Sequence, residues 1–246
     1  MLLSAAWSLS LPTFAQDKPE EESSGSPRFR LLVNGAYNAT TRSFGDAATF
    51  TRYLEQGSST RDYDGGTGFV FEVGGVYSIL SNLGVMGSFE YFDASNDAAF
   101  REVVPHPLFF NQDRSIEGSV PSLSYKESVL HFDAVYTRDL SSFTVDLYGG
   151  PSWFFTRTEI LTDITTSSDY PFDELSLDGT SSSPFEESPL GFNLGGALTF
   201  RVTRLFGIAF QARYSRARVR LQRDGADAFD FNAGGFRAGG GIRLSF

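Results

Sequence analysis

Cysteine is absent from this chain, lysine occurs only at Lys18 and Lys126, and His106 and His131 are the only histidines. Without cysteine there is neither a disulfide framework nor a thiolate metal centre. Strand faces turned to bulk water ordinarily carry lysine and glutamate, so the near-absence of lysine argues that the polar faces here look elsewhere. No run of eighteen or more apolar residues occurs, which excludes a mature transmembrane helix and leaves strands as the means of crossing a membrane. The net charge of −10 disfavours nucleic-acid binding, because phosphate contacts need a basic surface. No phosphate-binding loop, dinucleotide fingerprint or HExxH motif is present, and no cofactor or metal is expected.

The chain is rich in phenylalanine and glycine, 25 of each, and much of it alternates with a period of two. Residues 29–40 place Phe29, Leu31, Val33, Tyr37 and Ala39 on one face against Arg30, Asn34, Asn38 and Thr40. The same alternation returns in residues 68–79, 83–91, 125–138, 143–155, 190–202, from Phe206 onward, and in 236–246. Such a pattern defines strands with one apolar face, each about long enough to cross a bilayer when tilted. The connections alternate long, short, long, short, long, short, long. Ser81-Asn82, 139–142 and 203–205 are tight turns, whereas 43–65, 93–124, 158–188 and 222–230 read as polar loops. Leu2 to Phe14 reads as the apolar part of a signal peptide covering residues 1–15, its start truncated, and residues 16–27 as an acidic flexible linker. The barrel domain spans residues 28–246.

The expected fold is all-β: a closed eight-stranded antiparallel transmembrane barrel with short periplasmic turns and long extracellular loops. Phe29, Tyr136, Phe143, Phe206 and Phe246 fall near the periplasmic interface and Phe69, Tyr91, Phe155 and Tyr214 near the outer one. A soluble lipocalin-like barrel would put the same apolar faces inside and leave glycine, serine, asparagine and arginine in water. The last strand ends with Ile242, Leu244 and Phe246 in one parity, and this ending resembles the carboxyl-terminal signature of bacterial outer-membrane β-barrels. The whole pattern resembles the OmpA-type and OmpX-type barrels. That resemblance implies the outer membrane as location, an interior ionic network, Ile242, Leu244 and Phe246 as an assembly signal read by the barrel-assembly machinery, and a monomeric state.

Counting up from the short turns puts Glu72, Glu90, His131, Asp133, Arg213 and Arg237 at one mid-barrel height on the inward parity. Desolvated charges there must pair, either as a fixed plug or as a network that rearranges to admit ions. Arg30, Asp146, Arg201 and Arg243 form a second, solvated layer toward the periplasm. Beyond Tyr214 the apolar parity shifts to Ala217, Val219 and Leu221, so that strand is either bulged or has left the membrane. Arg216, Arg218 and Arg220 then share a face, to contact lipopolysaccharide phosphates or to neutralise the acidic third loop. The expected role is a non-enzymatic envelope barrel with at most a narrow pore. The alternatives are a loop-mediated surface binder or adhesin, suggested by aromatic loop residues such as Phe109 and Tyr170, and a lipid A-modifying enzyme, for which no catalytic set is evident.

Overall fold

The computed structural model describes residues 28–221 and 229–246. The signal-peptide and linker assignments, and residues 222–228 of the last loop, lie outside the described residues. Eleven strands form one antiparallel sheet: β1 (Phe29–Asn38), β2 (Arg42–Arg52), β3 (Glu55–Gly65), β4 (Gly68–Ser78), β5 (Leu83–Pro105), β6 (Asp113–Leu140), β7 (Phe143–Ser167), β8 (Ser176–Glu187), β9 (Leu190–Arg201), β10 (Phe206–Leu221) and β11 (Phe229–Ser245). Eight of them close a ring in the order β1, β4, β5, β6, β7, β9, β10, β11, with β1 paired to both β4 and β11. Closure leaves no sheet edge in the ring, the condition for a strand to sit in hydrocarbon. The turns at 79–82, 141–142 and 202–205 lie at one end.

The extracellular connections differ from the expected loops. Residues 43–65 are the hairpin β2–β3, 93–124 are the continuations of β5 and β6, and 158–188 are the end of β7 with β8. Strands β5, β6 and β7 run for 23, 28 and 25 residues, more than twice the roughly 9–11 that cross a bilayer. β2 prolongs β1, β3 leads into β4, and β8 leads into β9, so eight long strands carry the wall far beyond the membrane.

What the wall encloses changes along its length. Within the spanning part the outward positions are Leu31, Val33, Phe71, Val73, Leu194, Leu198, Ile208 and Phe210, all exposed, while the inward ones are largely charged or amide side chains. Above it the faces exchange character. The buried cluster there is Phe44, Tyr63, Phe92, Phe100, Leu123, Tyr125, Phe154, Leu161, Val219 and Phe231 with smaller residues. Phe44 stacks between Tyr63 and Phe231, with centroids 4.8 and 4.7 Å away. The outward face there carries groups such as Arg101, Glu117, Arg157 and Glu186. A wall in lipid turns its apolar face out; the same wall in water must turn it in.

Strand β10 shows the exchange without a break. It pairs with β11 in continuous register from Phe206↔Leu244 to Leu221↔Phe229. Arg213, Ser215, Ala217 and Val219 all point inward, and Tyr214, Arg216, Arg218 and Arg220 outward. The parity shift after Tyr214 is therefore a change of surroundings, not a bulge in this strand. The local irregularity is on β11, where Gly234 and Gly235 adopt φ of 94° and 131°, a conformation that favours glycine.

Candidate functional site

Three inward layers lie below the extracellular core. The central one is built around Arg213, whose guanidinium reaches Glu72 at 2.7 Å, Asp133 at 3.7 Å and Glu90 at 3.9 Å. It also donates to Ser88 and lies over the Tyr148 ring. Arg237 pairs with Glu90 and Glu127, and His131 Nε2 is 3.8 Å from Glu90 while its Nδ1 is 2.8 Å from Ser152 Oγ. All six mid-barrel residues singled out from the sequence are buried, and they stand in this one cluster.

Its membership is wider than strand counting indicated. Glu127, fully buried, accepts from Arg237, the Tyr125 hydroxyl and the Gly234 amide, and Arg42 is 3.8 Å away. Asn34 and Gln211 both donate to Glu72, at 2.8 and 2.6 Å, and Asn193 donates to Asp133 at 2.7 Å. The signal for Glu127 was its shared parity with His131 and Asp133, and for Arg42 its shared parity with Arg30, Asn34 and Asn38. The carboxylates Glu72, Glu90, Glu127 and Asp133 thus face Arg42, Arg213 and Arg237. In a medium of low dielectric such charges persist only when paired and hydrogen-bonded.

Beneath this network Leu32, Val76, Met86, Val135, Tyr148 and Ala197 form a buried apolar cluster, with Arg243 in register beside Leu32. The periplasmic layer follows. Arg30 grips Asp146 with two bonds of 3.0 and 2.9 Å, supported by Thr137. Arg243 donates to the amide oxygens of Asn34 and Gln211. Arg201 lines the open mouth of the same cavity as Arg30 and Arg243, exposed at the turn end, where it donates to the Leu140 and Ser141 carbonyls and lies 3.6 Å from Asp139. Its position near a turn at the end of β9 lets the long side chain reach over the rim.

On the outward face, Arg216 donates to Asn232 and Arg218 lies 3.8 Å from Asp230. These partners are on β11, across one hairpin, and not on the acidic third connection. Ile242 and Phe246 face outward at the periplasmic end, Leu244 between them in the same parity. His106 is buried at the β5–β6 turn, where Nδ1 accepts from the Leu108 and Phe109 amides at 3.1 and 3.2 Å. It caps a turn.

In the extracellular extension Arg61 pairs with Asp46 at 3.5 Å. Burial pushes the nearby Glu102 carboxyl above its ordinary value, the Arg61 and Arg52 guanidinium groups offsetting part of that. A carboxyl raised on folding opposes stability once ionised, so stability increases as the pH falls through its folded pKa and levels off below the unfolded one. Glu102→Gln should therefore stabilise the extension at neutral pH and lose its advantage in acid. Amide exchange of β3 and β5 at pH 7.5 and pH 4 measures this; equal protection in wild type and variant at neutral pH would contradict it.

Neither a family model nor a curated protein sequence matches the chain. Solved structures do. The outer membrane protease OmpT of Escherichia coli superposes with a TM-score of 0.50 at 7% identity, covering 92% of this chain and 99% of that one. Neisserial surface protein A gives 0.44 at 13%, covering 90% and 99%. The amino-terminal β-barrel domain of OprF from Pseudomonas aeruginosa gives 0.36 at 13%, covering 90% and 100%. At these identities the likeness is one of fold. With its closed ring of eight strands, lipid-type outer face and polar lumen, the chain has the fold of a transmembrane β-barrel of the bacterial outer-membrane kind.

Proposed function

We propose that the protein is a non-enzymatic outer-membrane barrel with an envelope role, its lumen closed by the central ionic network so that it forms at most a narrow pore. The observation that carries this reading is Arg213, 2% exposed and held among Glu72, Glu90 and Asp133, with a buried apolar cluster above and another below. An eight-stranded barrel is just wide enough for side chains to fill. His131, Ser152 and Glu90 have the composition of a base, nucleophile and acid, yet Ser152 also accepts from Asn193 and all three are buried in that section, out of reach of a substrate. Planar bilayer recordings test the reading. The refolded protein should show no sustained conductance, and Arg213→Ala with Glu72→Ala should raise it. Large steady steps from the wild type, unchanged in the double variant, would reject it.

Surface binding is supported by a separate observation. The extracellular tips expose Leu54, Leu108, Phe109, Phe110 and Tyr170, and cross-links tie them together: Glu55 accepts from the Asn111 amide, and Arg114 donates to the Phe172 carbonyl. Exposed aromatics on a pre-organised frame suit partner contact. The outward row of Arg216, Arg218 and Arg220, one step above lipid-facing Tyr214, suits outer-leaflet phosphates, and the terminal Ile242, Leu244 and Phe246 suit recognition during assembly.

A further inference from the structure

The turn end of the barrel opens into a vestibule of about 560 Å³ lined by Arg30, Arg201, Arg204 and Arg243 with the hydroxyls of Thr137, Thr199 and Thr203. Its charge is lopsided. Arg30 is committed to Asp146, and Arg201 faces Asp139. Among the described residues Arg204 and Arg243 have no carboxylate within ion-pair distance, and Arg243 is buried with only amide and carbonyl oxygens as acceptors. The buried Thr199 hydroxyl also lacks a partner there. The Phe246 oxygen on the lining accepts from the Phe29 amide. At this end of the barrel Arg28, Arg30, Arg138, Arg201, Arg204 and Arg243 stand against Asp139 and Asp146, although the whole protein carries −10.

The sequence shortly before Arg28 carries matching chemistry. Asp17, Glu20, Glu21 and Glu22 precede Arg28 by six to eleven positions, and β1 begins at Phe29, which pairs with Phe246 on the vestibule wall. At about 3.3–3.6 Å per residue, six residues span roughly 20 Å, and a short tether gives an effective concentration on the order of millimolar. We propose that this vestibule is a binding site for peptide carboxylates and that Asp17–Glu22 of the same chain are its occupant. Guanidinium groups on a concave, partly desolvated wall bind carboxylates more strongly than exposed arginines do. The site meets the mid-lumen network at Arg243, whose acceptors Asn34 and Gln211 donate to Glu72, whereas Arg204 lies at the exposed rim.

The absence of native cysteine makes the test direct. In the full-length refolded barrel, Glu21→Cys and Thr203→Cys should form a disulfide under mild oxidation at low salt. Replacing Asp17 by Asn and Glu20 and Glu22 by Gln should slow that reaction about tenfold, a change equivalent to about 1.4 kcal/mol. Arg204→Gln should slow it comparably, and 0.5 M salt should erase the difference by screening. Heat-modifiable migration verifies that each variant is folded. Inorganic phosphate at 10 mM should compete, slowing cross-linking only while the acidic side chains are intact. Cross-linking at the same rate after neutralising the acids, or phosphate binding to the vestibule with no effect on the cross-link, would overturn the assignment of the occupant.

Discussion

Replacing Arg213 with leucine should destabilise the barrel by about 3–5 kcal/mol, because it leaves buried carboxylates uncompensated. The guanidinium is almost wholly enclosed and faces Glu72, Glu90 and Asp133 together, so its loss strands several charges at once. Glu72→Gln should cost less, since Asn34 and Gln211 still have an oxygen to donate to. Combining the two should cost less than the sum by roughly 0.5–3 kcal/mol, the coupling expected inside one network. Arg201→Gln serves as the contrast: its partly exposed pair with Asp139 should contribute about 1 kcal/mol or less. Urea unfolding in lipid or detergent reads all four. Additivity of the Arg213 and Glu72 changes would show that the cluster is a set of independent contacts.

A charge placed on the outer wall should have opposite consequences above and below Tyr214. Phe210→Arg introduces a guanidinium where Phe210 is exposed opposite Leu198 on the neighbouring strand, and near the bilayer midplane this costs about 2–4 kcal/mol. Asn232→Asp lies on the same outward side of the next strand, opposite Arg218 and still offering an acceptor to Arg216. There the surface is already polar, and the change should stay within about 0.5 kcal/mol. Inward the order reverses: Val219→Arg buries an unpaired charge in the extracellular core, whereas Arg213 is tolerated because acids surround it. Equal penalties at Phe210 and Asn232 would contradict a membrane boundary between them.

The spanning strands were legible because lipid on one side and a polar lumen on the other impose clean alternation, as in Phe69, Phe71 and Val73 opposite Glu72. The extracellular continuation was not. β3 reads Glu55-Gln56-Gly57-Ser58-Ser59-Thr60-Arg61-Asp62-Tyr63-Asp64-Gly65 and offers a single aromatic inward residue, Tyr63. With Ser59 and Arg61 also inward, no apolar period survives, and the composition is that of a loop. What makes it a strand is tertiary: Tyr63 stacks on Phe44, and its hydroxyl accepts from the Leu161 amide across the core. Such a contact spans nearly a hundred residues, beyond any local window. The shift from Tyr214 to Ala217 and Val219 was visible, but its cause was open until β10 was seen to keep register. Parity likewise located Glu72, Arg213 and Arg237, whereas Glu127 and Arg42 flank segments read as loop and joined the network only once those segments proved to be wall.

The inversion of the wall at the membrane surface is tested most directly by cysteine accessibility along β10, in a chain that has no cysteine of its own. Single cysteines at Phe210, Arg218 and Val219, in protein refolded into lipid vesicles, would be challenged with a water-soluble maleimide too large to enter the barrel. The account predicts labelling at position 218 alone: position 210 is screened by lipid although it faces outward, and position 219 is screened by the extracellular core. Labelling of Phe210→Cys as fast as Arg218→Cys would mean that the outer face meets water along its whole length, and would contradict the transmembrane barrel itself.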